Sequence, residues 1–111
     1  MLQVQVSIGR NTSPGVPMSG AGPFEGVWYR FQRDISDALW RNTRGGTRWQ
    51  EAHYGTGQWE DQPEDSAHIT MLDVFWLDRE ALSRDLAAIA KRYGQAAVAL
   101  TVTEPELIAA G

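Results

Sequence analysis

The chain has 111 residues, 42% of them hydrophobic and 22% charged, with no cysteine and a formal net charge of −4. That balance suits one globular domain burying roughly two-thirds of its unfolded surface, and it excludes disulfide scaffolds, thiolate metal sites and cysteine nucleophiles. The acidic total disfavours non-specific nucleic-acid binding, and no apolar run approaches the roughly 20 residues of a membrane span.

The N-terminus reads Met1-Leu2-Gln3-Val4-Gln5-Val6, without the basic and apolar regions of a signal peptide. A cytoplasmic setting is expected, and lack of cysteine fits a reducing compartment. Leu2, Val4, Val6 and Ile8 alternate with Gln3, Gln5 and Ser7, which predicts a half-buried strand over 2–8. Residues 9–23 hold four glycines and three prolines. They read as a long loop, either functional or mobile.

Phe24, Trp28, Phe31, Ile35 and Leu39 fall at steps of 4, 3, 4 and 4, which predicts an amphipathic helix over 24–42, ended by Gly45-Gly46. A strand follows at about 48–54 and resumes at 57–60 past a bulge at Gly55-Thr56-Gly57. Residues 60–65 read as an acidic turn, and 66–77 as the most apolar and hence a central strand. Asp78 is placed as an N-cap. Leu82, Leu86, Ile89 and Tyr93 form the second helical stripe, with Lys91, Arg92 and Gly94 suited to its end. A last strand is expected over 96–103. The tail 104–111 should then pack Leu107-Ile108 as a short cover.

The order β-α-β-β-α-β predicts an α+β, ferredoxin-like sandwich: one domain over 1–111, four antiparallel strands, both helices on one face and the first and third strands central. The other face stays open. Five tryptophans cannot all lie beneath two helices, and an exposed apolar patch marks an interface. The expected partner is a second copy, giving a homodimer through the open sheet face.

Charge is segregated. Residues 26–50 carry Arg30, Arg33, Arg41, Arg44 and Arg48 against Asp34 and Asp37; residues 51–78 carry seven acids and no Lys or Arg. Either both runs are solvated or they form a charged face for a partner. Trp40 lies off the helical stripe, so Trp40, Arg41 and Arg44 are candidate partner contacts.

His53 and His68 fall on adjacent strands. They face each other if the turn centres near 60–61, and are offset by about four residues if it centres on Gln62-Pro63. With Glu51 or Glu60 they could hold a metal, but two histidines on a partly solvated sheet explain them as well, and neither a metal nor another cofactor is expected. Gly9-Arg10-Asn11 leaves the first strand where backbone N–H groups and an arginine could meet an anion. A turn leaving the core explains it equally. Arg10, Asn11, His53, Trp59 and His68 are the candidate ligand-binding residues. No catalytic constellation stands out.

Short motifs run along nearly the whole chain: Val6-Ser7-Ile8-Gly9-Arg10-Asn11, Met18 before Trp28-x-x-Phe31, Gly57-x-Trp59, Glu64-x-Ser66 and Tyr93-Gly94-Gln95. With them the chain resembles a family of small ferredoxin-like proteins from actinobacteria and their phages. The stretch 19–25 departs from the shorter loop expected there, and nine arginines to one lysine fit a GC-rich genome. The resemblance implies the fold and no activity. Two functions follow as expectations. The first is a non-enzymatic binding or accessory protein, phage-encoded and acting on a host or phage protein. The alternative is a small-molecule or nucleotide binder, or a minor enzyme, with a cleft near Arg10, His53 and His68.

Overall fold

Alternation along residues 2–9 sends Val4, Val6 and Ile8 to one side of a sheet, where all three are buried. In the computed structural model this strand, β1 (Leu2–Gly9), is followed by α1 (Gly26–Arg41), β2 (Thr43–Trp59), β3 (Gln62–Leu77), α2 (Arg79–Arg92) and β4 (Ala99–Thr103). The structure describes residues 1–12, 16–20, 26–59 and 62–110, with 52–59 and 62–63 described by backbone alone. The strands form one antiparallel sheet in the order β2-β3-β1-β4. This is the ferredoxin-like arrangement, with β1 and β3 central.

Both helices pack on the side carrying Val4, Val6 and Ile8. From α1 come Trp28, Phe31, Ile35, Ala38 and Leu39, and from α2 come Leu82, Leu86 and Ile89. The helical stripes are the reason: residues at steps of three and four share one face, and that face is the apolar one. Asp78 caps α2, its side chain accepting from the Ala81 N–H at 3.1 Å. Phe31 stacks on Tyr93 with ring centroids 5.0 Å apart.

β3 serves both faces of the sheet by means of a bulge. Val4 pairs with Met71, but Leu2 pairs with Val74, so Gln3 opposes both Leu72 and Asp73. Asp73 takes φ 60°, a left-handed conformation that aspartate tolerates better than most residues. The alternation is reset there. Ala67, Ile69 and Met71 are buried before it and Val74 after it, while Phe75 is thrown out to 69% exposure.

Several boundaries differ from the sequence reading, β4 among them, which begins at Ala99 rather than 96. β2 begins at Thr43 rather than near 48. The end of α1 is closed by the Asn42 side-chain amide and the Thr43 hydroxyl, donating to the carbonyls of Ala38 and Leu39 at 2.8 and 2.7 Å, and the strand starts at once. Gly45 and Gly46 therefore lie inside a strand, at φ 73° and 91°. A side chain at Gly46 would meet the Leu72 carbonyl at 2.6 Å.

β3 begins at Gln62 rather than 66. Gln62 and Pro63 pair with Trp59 and Gln58 of β2, and β1 pairs no further than Ser66. Pro63 therefore needs no donor toward β1. Of the acidic turn expected over 60–65, residues 60 and 61 lie outside the described residues. The tail also differs: Leu107 and Ile108 are 93% and 81% exposed, so they do not cover the core.

Candidate functional site on the open sheet face

The sheet face turned away from the helices is built by the other half of each alternation. Its middle row runs across three strands, because Ser7 pairs with His68 and His68 with Glu51. The row continues to Ala99 on β4. The next row is Trp49, Thr70, Gln5 and Thr101, and the one after it Thr47, Leu72, Gln3 and Thr103. Residues directly opposite on neighbouring strands have Cβ atoms about 4.5–5.5 Å apart, so His68 is flanked by a hydroxyl on one side and a carboxylate on the other.

Two polar side chains of β1 hold the imidazole. The Ser7 Oγ lies 2.8 Å and the Gln5 Nε2 3.3 Å from His68 Nδ1, and the Gln5 amide also donates to Ser7 Oγ at 3.4 Å. An amide nitrogen can only donate, so Nδ1 faces two side chains that are able to donate to it, the Gln5 amide and the Ser7 hydroxyl. A serine hydroxyl bonded to a histidine, with an acid opposite on the third strand, can position and polarise a polar ligand. Trp49 is 58% exposed and diagonal to His68, and its indole offers a flat apolar surface beside these groups. Leu72 and the exposed Phe75 extend that apolar end.

Arg10 and His68 do not converge. The Arg10 guanidinium donates to the carbonyls of Met18 and Gly20 and to the Asp65 carboxylate, each at 2.8 Å. All its nitrogens are engaged in tying the loop after β1 to the start of β3. Asn11 has a similar role: its N–H donates to Glu64 Oε2 and its carbonyl accepts from the Gln95 amide, both at 2.9 Å. The described part of the 9–23 loop folds back on itself through an Asn11–Pro17 bridge, and Met18 is buried in the core.

Trp59 of β2 pairs with Gln62 of β3, and the histidines do not face each other. His53 pairs with Ser66, because residues 54–56 of β2 oppose Asp65 alone in the irregularity at Gly55-Thr56-Gly57. The two histidines are thus offset by two positions. The side chains of His53 and Trp59 lie outside the described residues, and the described residues hold no cluster of three metal-ligating side chains.

On the helical side, Trp40 is 49% exposed. Arg41 pairs with Asp85 at 3.3 Å, and Arg44 lies 5.0 Å above the Trp76 ring. Arg48 donates to the Ser36 hydroxyl on α1. Three of the five arginines of 26–50 are therefore committed within the fold, which weakens the case for a nucleic-acid face.

Ser7 and Gln5 are the residues of this row and its neighbour that the sequence reading did not single out, whereas Glu51 was named there only as a third metal ligand. Gln5 and Ser7 were legible as the polar side of the first strand and Glu51 as a same-face neighbour of His53, but their shared partner, His68, lies 61 residues beyond Ser7.

No family model matches the chain, and no curated protein matches it. It is similar to a solved structure described as a phage SAM lyase in complex with S-methyl-5′-thioadenosine, with 14% identity, coverage of 93% of this chain and 80% of that chain, and a TM-score of 0.49. A likeness at that level says nothing about activity.

Proposed function

We propose that the open sheet face is a binding site for a small polar molecule with a flat ring, a nucleoside or nucleotide being the chemistry it suits. The observation that carries this reading is His68, whose Nδ1 is held by Ser7 and Gln5 on the sheet face away from the helices, diagonal to the exposed Trp49. Trp49 supplies a stacking surface, and the row Ser7–His68–Glu51 supplies a donor, an imidazole and a carboxylate for the ligand's hydrogen-bonding edge. Arg10 is not part of the site. Of the two expected functions, this geometry favours the small-molecule reading over the accessory-protein one.

Thermal unfolding with adenosine, guanosine and their monophosphates tests it. A ligand at 100 times its dissociation constant adds about 2.7 kcal/mol, which raises the melting temperature by about 10 °C at this size. The rise should vanish in Trp49→Ala and His68→Ala. No rise with any of the four, or a rise that His68→Ala leaves unchanged, rejects the assignment.

A further inference from the structure

We propose that a second copy of this chain docks on the free edge of β4, continuing the sheet across a two-fold axis and laying its residues 104–108 into the groove between α2 and β4. Three observations meet there. Among the described residues β4 pairs only with β1, so its outer edge offers unpaired backbone groups, and its sequence, Ala99-Leu100-Thr101-Val102-Thr103, contains none of the charges or prolines that blunt such edges. Beside it lies a groove of about 530 Å³ lined by Leu86, Ala90, Ala96, Val98 and Leu100, with Lys91 among its walls. Just beyond β4 stand Leu107 and Ile108, almost wholly exposed.

Register connects the three. The groove flanks the beginning of β4, whereas residues 104–108 leave from its end, so in one chain the exposed pair leads away from the groove. An antiparallel neighbour runs the opposite way. Centring two copies on Thr101, the middle residue of β4, sets Thr103 of each against Ala99 of the other. Same-parity residues then face each other, which keeps both helical layers on one side of the joined sheet. Residues 104–106 of the second copy pass along Ala96–Val98, the strand-side wall of the groove, and Leu107 and Ile108 reach the level of Gly94 and Gln95. Pro105 has no N–H and ends the ladder there, freeing Leu107 and Ile108 to turn toward the apolar lining. Glu104 and Glu106 of the second copy approach the side that carries Lys91, so charge is complementary as well. The contact occurs twice about the axis and leaves the open sheet face uncovered on both copies.

Sedimentation of the full chain across a wide concentration range tests this together with two kinds of variant. The expected result is a reversible dimer whose dissociation constant rises about tenfold or more in Leu107→Asp/Ile108→Asp, while Phe75→Asp on the open face leaves it unchanged. Both substitutions fall on exposed side chains, so folding is preserved. The chain has no cysteine, and opposite residues of an antiparallel pair lie about 4.5–5.5 Å apart, within disulfide reach. Oxidised Thr101→Cys should therefore run as a covalent dimer. A monomer at every concentration overturns the proposal. So does a dimer that Phe75→Asp dissociates but the 107/108 variant does not, or one that cross-links through Thr47→Cys on the open face and not through Thr101→Cys.

Discussion

Replacing Arg10 by alanine separates an anion ligand from a structural clamp. The guanidinium makes three hydrogen bonds, and the Arg10 and Asp65 side chains are only 22% and 23% exposed, so water cannot fully replace what is lost. Each bond contributes about 1 kcal/mol net, the carbonyls of Met18 and Gly20 accepting from a charged donor and Asp65 retaining partial access to solvent. Arg10→Ala is therefore expected to cost about 2.5 kcal/mol. With an unfolding entropy of about 2.1 cal/mol/K per residue, that lowers the melting temperature by about 10 °C. Arg10→Lys, which keeps the charge and loses the planar fork, should recover less than half of the loss. Urea unfolding at neutral pH gives the difference directly. A cost below about 0.5 kcal/mol for Arg10→Ala would show that these bonds do not hold the loop, and the argument for excluding Arg10 from the site would fail with it.

Other consequences can be measured on the same material. Gly46→Ala forces a Cβ against the Leu72 carbonyl at φ 91°, and it is expected to destabilise by about 2 kcal/mol or more; a neutral result in denaturant titration would show that β2 relaxes freely at this point. Burial, and then the hydrogen bond to Asp34 at 2.6 Å, raise the Tyr93 pKa above 10.0. The folded protein thus disfavours the phenolate. The stability that this contributes is intact below pH 10 and declines as pH rises from there through the raised value, so Tyr93→Phe should flatten the alkaline limb of a stability–pH curve. An unchanged limb in the variant would place the alkaline loss elsewhere. In Ser7→Ala, the ¹⁵N shift of His68 Nδ1 should move toward the value of an imidazole nitrogen without a hydroxyl donor; no movement would mean that the Ser7 hydroxyl does not donate to it.

Local patterns were enough for much of the architecture. The stripes through Trp28, Phe31, Ile35 and Leu39 and through Leu82, Leu86 and Ile89 mark both helices, because a 3.6-residue period is a property of neighbouring residues alone. The alternation of Val4, Val6 and Ile8 likewise marks the first strand, and Asp78 marks the start of the second helix. The β-α-β-β-α-β order then leaves few ways to join the pieces, and the observed strand order is the expected one. The candidate site was legible only in part. His68 stood out as one of two histidines, but Arg10 was read as a ligand, since a strand-end arginine with open surroundings and one clamped by two carbonyls look alike in sequence.

What the chain determines by itself is thus each element's kind and buried side, because propensity, periodicity and capping act within a few residues. Tertiary structure alone decided which residues stand opposite one another. The row Ser7–His68–Glu51 depends on the registers of two strand pairs, and the bulge at Asp73 and the irregularity between His53 and Gly57 shift those registers. A register is a relation between two strands, set by the balance of pairing and packing along both of them. That balance is struck between residues far apart in the chain, and no local pattern records it.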